Sequence, residues 1–367
     1  MIKLVGIIAE YNPFHNGHLY HLNKVKEMFP NHTITLVLAG NFLNRGEISI
    51  IDKWDKTKLA LFYGVDLVVE LPTIFSTQSS DIYAYAAINI LENLSCDYLV
   101  FGSESNNIEK LEEIAEYLNK ENIDELIKKY TKLGLNYPAS ISKIIKEKYN
   151  VDISTPNDLL GLSYIKQIKK INSKIKPISI KRTNDYHSLK LGKICSASSI
   201  RNAIKNNKKI NKYVPKETLK YIKKIDLEDY FNIIKHRIIT DDLTSYQDID
   251  TNLNNSFKKN INKSNSCEEL ISLVKSKNYT YNKIKRCLLH ILINLLKNDY
   301  KLEYIRVLGF NSNGKNYLNK IKKDIKLPLI TNYNELLDFE LKATNIYSIV
   351  TNSNNELNKP IIKESKI

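Results

Sequence analysis

His15 and His18 flank Gly17 in the stretch EYNPFHNGHLYHL, residues 10–22. Two imidazoles three positions apart can face one phosphate chain and donate hydrogen bonds to charge developing on it. Gly17, without a side chain, lets a ligand approach the backbone closely. The apolar run KLVGIIA before this stretch reads as a buried strand, and Leu19, Leu22, Val25 and Met28 recur every three residues after Gly17, as on a helix with one apolar face. The histidines therefore sit at a strand-to-helix turn, where exposed amides and the helix dipole attract phosphate. Surface histidines are common, so an isolated HxxH pair says little; this position makes the pair specific. His21, one turn on, reads as a capping or packing residue.

A second candidate is SASSIRNAI, residues 196–204. Ser198 and Ser199 would open a helix there. Read alone, the serines are a plain N-cap. Of the 55 basic residues only Arg45, Arg182, Arg201, Arg237, Arg286 and Arg306 are arginine. Where lysine is the default, arginine marks a need for a flat bidentate fork, which nominates Arg45, Arg182 and Arg201. Lys53, Lys56 and Lys58 in KWDKTKLALFYG read as a solvated helix face, and Cys195 as a packing residue.

These residues need a scaffold. TITLVLAG (33–40), DLVVELP (66–72) and DYLVFGSES (97–105) read as further strands, separated by helical stretches. Asp52 can N-cap a helix that Gly64 ends. The alternation is that of an α/β fold with a doubly wound parallel sheet. In such sheets ligands bind beyond the carboxyl ends of the strands, and the loops EYNPFHNGH, GNFLNRGE and FGSES all follow strands. KPISIKRT (176–183) reads as one more strand. After residue 206 the alternation stops; LLHILINLL (288–296) belongs to a buried helix and YIRVLGF (304–310) to a short strand. This gives two domains, 1–205 and a basic, mainly helical 206–367, with a frayed tail from about 351.

The net charge is +15, and residues 206–367 hold 29 basic against 18 acidic residues. That excess suits a nucleic acid, although a composition rich in Lys, Asn and Ile accounts for part of it. No segment approaches the ~18–20 apolar residues of a membrane span, and the start reads as a strand rather than a signal peptide. The four cysteines form no CxxC pair, so no metal site is expected, and scattered thiols suit a reducing cytoplasm.

HNGH at a first βα turn, followed by SSIR, resembles the HxGH nucleotidylyltransferase superfamily with its ISSTxIR-like second motif, which implies that Ser198 and Ser199 hold the outer phosphates at a helix N-terminus and that Arg201 neutralises the pyrophosphate leaving group. Together with GNFLNRGE, DKWDKTKLALFYGVDLVVELP, CDYLVFGSE, NDLLGLSYIK, KHRIIT, YTYNKIKRCLLHILIN and YIRVLGF, the chain resembles the bacterial tRNA(Met) cytidine acetate ligase family over essentially 1–335. The resemblance implies a Rossmann-like ATP-binding domain and a two-step reaction. Acetate attacks the α-phosphate of ATP, with Mg2+ on the phosphates, giving acetyl-adenylate and pyrophosphate. The acetyl group then passes to the exocyclic amine of the wobble cytidine of elongator tRNA(Met), which the basic domain would hold. It also implies an ATP-binding loop of Ile7, Ile8, Ala9, Glu10, Tyr11, Asn12, Pro13, Phe14, His15, Asn16, Gly17, His18, Leu19 and Tyr20, completed by Gly102, Asn157 and Arg182. Without it, Asn157 is a helix cap and Gly102 a turn. Asp185, Tyr186 and His187, close after Arg182, read equally as a polar loop or as neighbours of the acetyl group or RNA, and Arg45 follows a strand toward the same edge.

The scheme is chemically coherent. Acetate is a poor acyl donor, and adenylation supplies a good leaving group; in-line attack then needs positioning and charge stabilisation more than a base. His15, His18 and Arg201 are the catalytic candidates. Two other readings remain at this point: a small-molecule adenylyltransferase, and a non-catalytic RNA-binding protein on a nucleotide fold.

Overall fold

The structure, a computed structural model, describes residues 3–120, 123–153, 155–182, 195–353 and 355–363. Asp185, Tyr186 and His187 lie outside the described residues. The strands are β1 (Leu4–Ala9), β2 (Thr33–Ala39), the hairpin β3 (Phe42–Leu43) and β4 (Glu47–Ile48), β5 (Leu67–Leu71), β6 (Tyr98–Ser103), β7 (Lys176–Lys181), β8 (Ile305–Asn311), β9 (Leu329–Ile330) and β10 (Ile361–Lys363). The main sheet runs β10-β8-β5-β2-β1-β6-β7, with β9 also paired to β8. From β5 to β7 every pairing is parallel, and the strand order reverses between β1 and β6. This is the doubly wound core expected, and a ligand belongs at that reversal.

The parallel core is not the whole sheet. β8 pairs antiparallel to β5, and β10 then pairs with β8. Residues after 206 thus extend the sheet, so the boundary suggested at 205/206 does not mark where the sheet ends. The stretch expected to fray also contributes: Ile361–Lys363 is a strand, and Glu356 is buried.

Helices Ser80–Asn93, Ile108–Leu118 and Pro156–Lys170 cover one face. Asn16–Met28 and Lys53–Tyr63 cover the other. There the core runs without a break from Leu22, Val25 and Trp54 into Ile234, Ile238, Leu288, Ile291 and Tyr347 of helices Phe231–Thr240, Tyr281–Ile293 and Asp338–Thr351. The helical segment and the sheet share one apolar interior. Asp52 Oδ1 accepts from the amides of Trp54 and Asp55, and Gly64, at φ +103°, ends that helix, as its sequence directs.

The lysines of this helix do not form a solvated face. Lys53 and Lys56 are fully buried, and Lys58 is the solvated one. Lys56 Nζ donates to the carbonyls of Glu10, Ala39 and Gly40 at 2.9, 2.7 and 2.6 Å, tying the ends of β1 and β2 together. Burial lowers its pKa to about 7. Lys53 Nζ lies 2.6 Å from Glu70 and 2.7 Å from Glu356, and Arg306 bridges the same two carboxylates. Glu340 completes the group, accepting from the Thr73 amide at 2.6 Å.

Three carboxylates here face two cations. Burial, reinforced by Glu70, raises the Glu340 carboxyl to about 7, so its protonated form balances the group. A raised folded pKa means that the folded state binds the extra proton. The stabilisation is fully present below the unfolded value of about 4.5 and is lost as pH rises through about 7. Glu340→Gln, which mimics the protonated acid, should therefore hold its melting temperature between pH 5.5 and 8 better than the parent protein does. Parallel thermal melts check this, and identical pH profiles would contradict it.

Candidate nucleotide-binding site

A cavity of about 510 Å3 opens at the carboxyl ends of β1, β6 and β7, beside the strand reversal. Its first wall is the turn after β1. Tyr11 holds a left-handed φ of 48° and precedes a cis Asn12–Pro13 bond. The Tyr11 ring packs edge-on to Phe14, centroids 4.8 Å apart, and 4.8 Å from the His18 ring. Asn12 fastens the turn to the hairpin, its Oδ1 accepting from the Ile50 amide at 2.9 Å.

His15 is the N-cap of helix Asn16–Met28. Its Nδ1 accepts from the Gly17 amide at 3.0 Å, and His18 Nδ1 accepts from the His15 amide at 3.4 Å. This reciprocal capping box has two consequences. The first amides of the helix are used inside the protein, Asn16 N donating to the Tyr213 carbonyl at 3.1 Å, so they are not the free anion-binding amides that the sequence suggested. And both Nδ1 atoms act as acceptors, which puts the proton on Nε2; the His15 N–H is left for the cavity, while the Pro13 carbonyl shares the His18 ring with it. The rings stack with centroids 3.8 Å apart. Burial, then Arg182 and Arg201, lowers His15 to about 3; burial, then His15 and Arg182, lowers His18 as well. At neutral pH the pair is uncharged, a donor pair that an oxyanion can meet without first displacing protons.

The second wall comes from helix Ala197–Lys205, capped by Ser196, whose Oγ accepts from the Ser199 amide at 3.2 Å. Arg201 donates to the Asn12 carbonyl at 2.7 Å, to Glu47 at 2.5 Å and to Ser198 Oγ at 3.3 Å. It thus joins the second motif to the first. Ser196 and Ser198 line the cavity. Ser199, expected to do so, is buried with its hydroxyl 2.7 Å from Ser196 Oγ, because the capping turn directs it inward. Cys195 is buried, in keeping with a packing role.

The third wall gathers Gly102, Asn157 and Arg182 around Glu104. Asn157 Nδ2 donates to Glu104 Oε1, and Arg182 Nε lies 3.8 Å from the same oxygen. The Arg182 chain crosses Gly102, where an added Cβ would meet its Cγ at 3.3 Å. Asp158 fixes the turn by accepting from the amides of Glu104 and Ser105 at 3.1 and 3.0 Å. Arg182 Nε and His21 Nε2 are buried without a hydrogen-bond partner among the described residues. Orphaned donors on a cavity wall fit a ligand rich in acceptors, as a nucleotide is. His21 thus belongs to the cavity and is not mere packing.

Of the first loop, Ile7, Ile8, Ala9, Glu10, Tyr11, Asn12, His15, Gly17, His18 and Tyr20 line the cavity, as does Arg45. Pro13 and Phe14 are buried behind it, Leu19 packs on the core, and Asn16 Nδ2 donates to the Lys212 carbonyl at 2.9 Å. The sequence did not single out Glu47, Tyr83, Tyr164 or Asn282, which also line it. Glu47 stands in the GNFLNRGE loop already placed at this edge, so a signal existed. Asn282 arrives from helix Tyr281–Ile293, which Gly46 touches so closely that a Cβ would lie 2.5 Å from the Lys285 backbone; nothing local in the sequence foretells that.

Comparison with known proteins agrees with this geometry. A family profile described as HIGH Nucleotidyl Transferase matches residues 2–360. The tRNA(Met) cytidine acetate ligase of Caldicellulosiruptor saccharolyticus is 39% identical over 376 residues, covering 95% of this chain and 94% of its own. That of Clostridium perfringens (strain ATCC 13124) is 36% identical over 387 residues, covering 96% of each. The crystal structure of Thermotoga maritima TmcAL bound with alpha-thio ATP superposes with a TM-score of 0.89 at 27% identity, covering 99% of this chain and 100% of that one.

Proposed function

The chain belongs to the HIGH nucleotidyl transferase family and, within it, to the tRNA(Met) cytidine acetate ligases, and from this we infer that it is an ATP-dependent ligase acetylating the wobble cytidine of elongator tRNA(Met). The observation that carries the site assignment is the convergence of His15, His18 and Arg201 on one cavity. Acetate attacks the α-phosphate of ATP. The two Nε2–H groups stabilise charge growing on the phosphate oxygens, and Arg201 with Ser198 neutralises the departing pyrophosphate. Gly102, Asn157 and Arg182 hold the nucleotide's other end. Among the described residues no group of three His, Cys, Asp or Glu could hold a metal ion. Mg2+ would ride on the phosphates, its usual mode with nucleotides, and supply charge neutralisation there.

Residues 1–205 carry the ATP chemistry in this reading, and residues 206–367 hold the RNA. Lys208, Lys209 and Lys212 are exposed beside the first loop, which the Asn16–Lys212 and Asn16–Tyr213 hydrogen bonds anchor. Reversing the three charges to Glu should weaken tRNA binding at least tenfold and flatten its dependence on log salt by about two units. ATP affinity should hold; equal loss of both would contradict the division of labour. No helix among the described residues is long and apolar enough to cross a membrane, and the four buried cysteines support a reducing cytoplasm.

The test is pyrophosphate release from Mg-ATP and acetate, with and without unmodified elongator tRNA(Met), followed by the mass of the tRNA. Release with an added acetyl group on the cytidine is the expected result. Release with a small nucleotide in place of acetate would make the protein an adenylyltransferase, and ATP binding without turnover would make it a non-catalytic RNA-binding protein.

A further inference from the structure

Two carboxylates reach the cavity, Glu10 at the end of β1 and Glu47 on β4. A site for a triphosphate has no electrostatic use for either, since each repels the anion beside it. Glu47 is accounted for. Arg201 sits 2.5 Å away and Lys285 3.9 Å, and although burial raises its carboxyl, these cations with Arg45 hold it below the ordinary value.

Glu10 is not accounted for in this way. The Asn44 amide donates to its Oε1 at 3.0 Å, and among the described residues no side chain donates to either oxygen. Tyr83 of helix Ser80–Asn93 and Tyr164 of helix Pro156–Lys170 face it across the cavity, and each phenol is raised first by burial and then in part by Glu10. On the remaining sides stand Arg45 and Glu47 of the hairpin and Arg201 of helix Ala197–Lys205. Lys56, from below, fixes the Glu10 carbonyl at 2.9 Å and so the point from which the side chain departs. Burial and Glu47 raise the Glu10 carboxyl, and the Asn44 amide, Arg45 and Arg201 only partly offset them. Two carboxylates whose surroundings drive them apart divide acid–base roles between them.

We propose that Glu10 receives the cytosine: its carboxylate accepts an N4–H hydrogen bond and takes that proton as the nitrogen attacks the acetyl carbonyl. This rests on the acetate ligase reading. The N4 lone pair forms the new N–C bond, the C–O bond to the α-phosphate breaks, and AMP departs with that electron pair. The N4 proton passes to Glu10 and from there to water. A carboxylate at this place also selects the base, because cytosine offers it a donor where uracil offers the acceptor O4.

The test separates the half-reactions in the full-length protein. Acetate-dependent ATP–pyrophosphate exchange reads the first; mixing enzyme preloaded with ATP and labelled acetate with unmodified tRNA(Met) reads the second. Glu10→Gln should lose at least 100-fold more in transfer than in exchange. Transfer by the parent protein should rise about tenfold per pH unit below the carboxyl's pKa, and Glu10→Gln should lack this limb. Glu10→Asp should keep the limb at a lower rate, which decides the matter should the Gln variant not fold. Equal loss in both half-reactions would overturn the proposal by assigning the carboxylate to the nucleotide or its Mg2+, and so would unaltered transfer. A parent protein with no acetate-dependent exchange would instead bring down the acetate ligase reading, and this inference with it.

Discussion

His18→Asn should lower acetate-dependent ATP–pyrophosphate exchange by about 10²–10³-fold while leaving the helix start in place. The two ring nitrogens have separate tasks, and two substitutions separate them. The amide oxygen of Asn overlays Nδ1 and can keep the 3.4 Å bond from the His15 amide, but nothing replaces the Nε2–H. Gln reverses this: its amide nitrogen overlays Nε2, while the cap is lost at a cost of about 0.5–2 kcal/mol. The Gln variant should thus be the more active and the less stable of the two. Activity kept in Asn and lost in Gln would make His18 a structural residue. Because His15 titrates at about 3 and His18 is lowered as well, neither ring should impose a pH limb on exchange between pH 5 and 8.

The largest effect on stability should come from Lys53→Met, about 3–5 kcal/mol in urea unfolding. Lys53 bridges Glu70 and Glu356 at 2.6 and 2.7 Å with almost no solvent access. Its removal leaves those carboxylates and Glu340 to share Arg306, and a buried charge without its partner costs far more than the pair contributes. Lys58→Met, five residues along the same helix, removes a half-exposed lysine paired with Asp55 and should change stability by less than about 1 kcal/mol. Similar losses in the two variants would mean that the buried group contributes little.

The scaffold of the site was legible because its signals are local. β1, β2, β5 and β6 are apolar runs bounded by polar turns, and Asp52 and Gly64 mark their helix by rules that act within a turn of the chain. The place of His15 and His18 followed from fold logic, which sends loops after parallel strands to one edge, whereas Arg201 was found through the resemblance of SSIR to a second motif. What sequence could not carry was the direction of individual side chains. Lys53 and Lys56 resemble Lys58 in every local respect, and only distant carboxylates and strand-end carbonyls draw them inward. Ser199 and Ser198 are neighbours, and the capping turn alone decides which of them meets the cavity. β8 was visible as a strand, but its partner lies more than 230 residues earlier, beyond the reach of any periodicity.

That long return has a consequence for biosynthesis. While the protein is still on the ribosome, residues 1–205 present β5 with an open edge and Lys53 and Glu70 without Arg306, Glu340 or Glu356. The edge and the charges are closed only when the segment from Ile305 to Lys363 has been made. Residues 1–205 therefore cannot complete their buried charge group before the rest of the chain has been made.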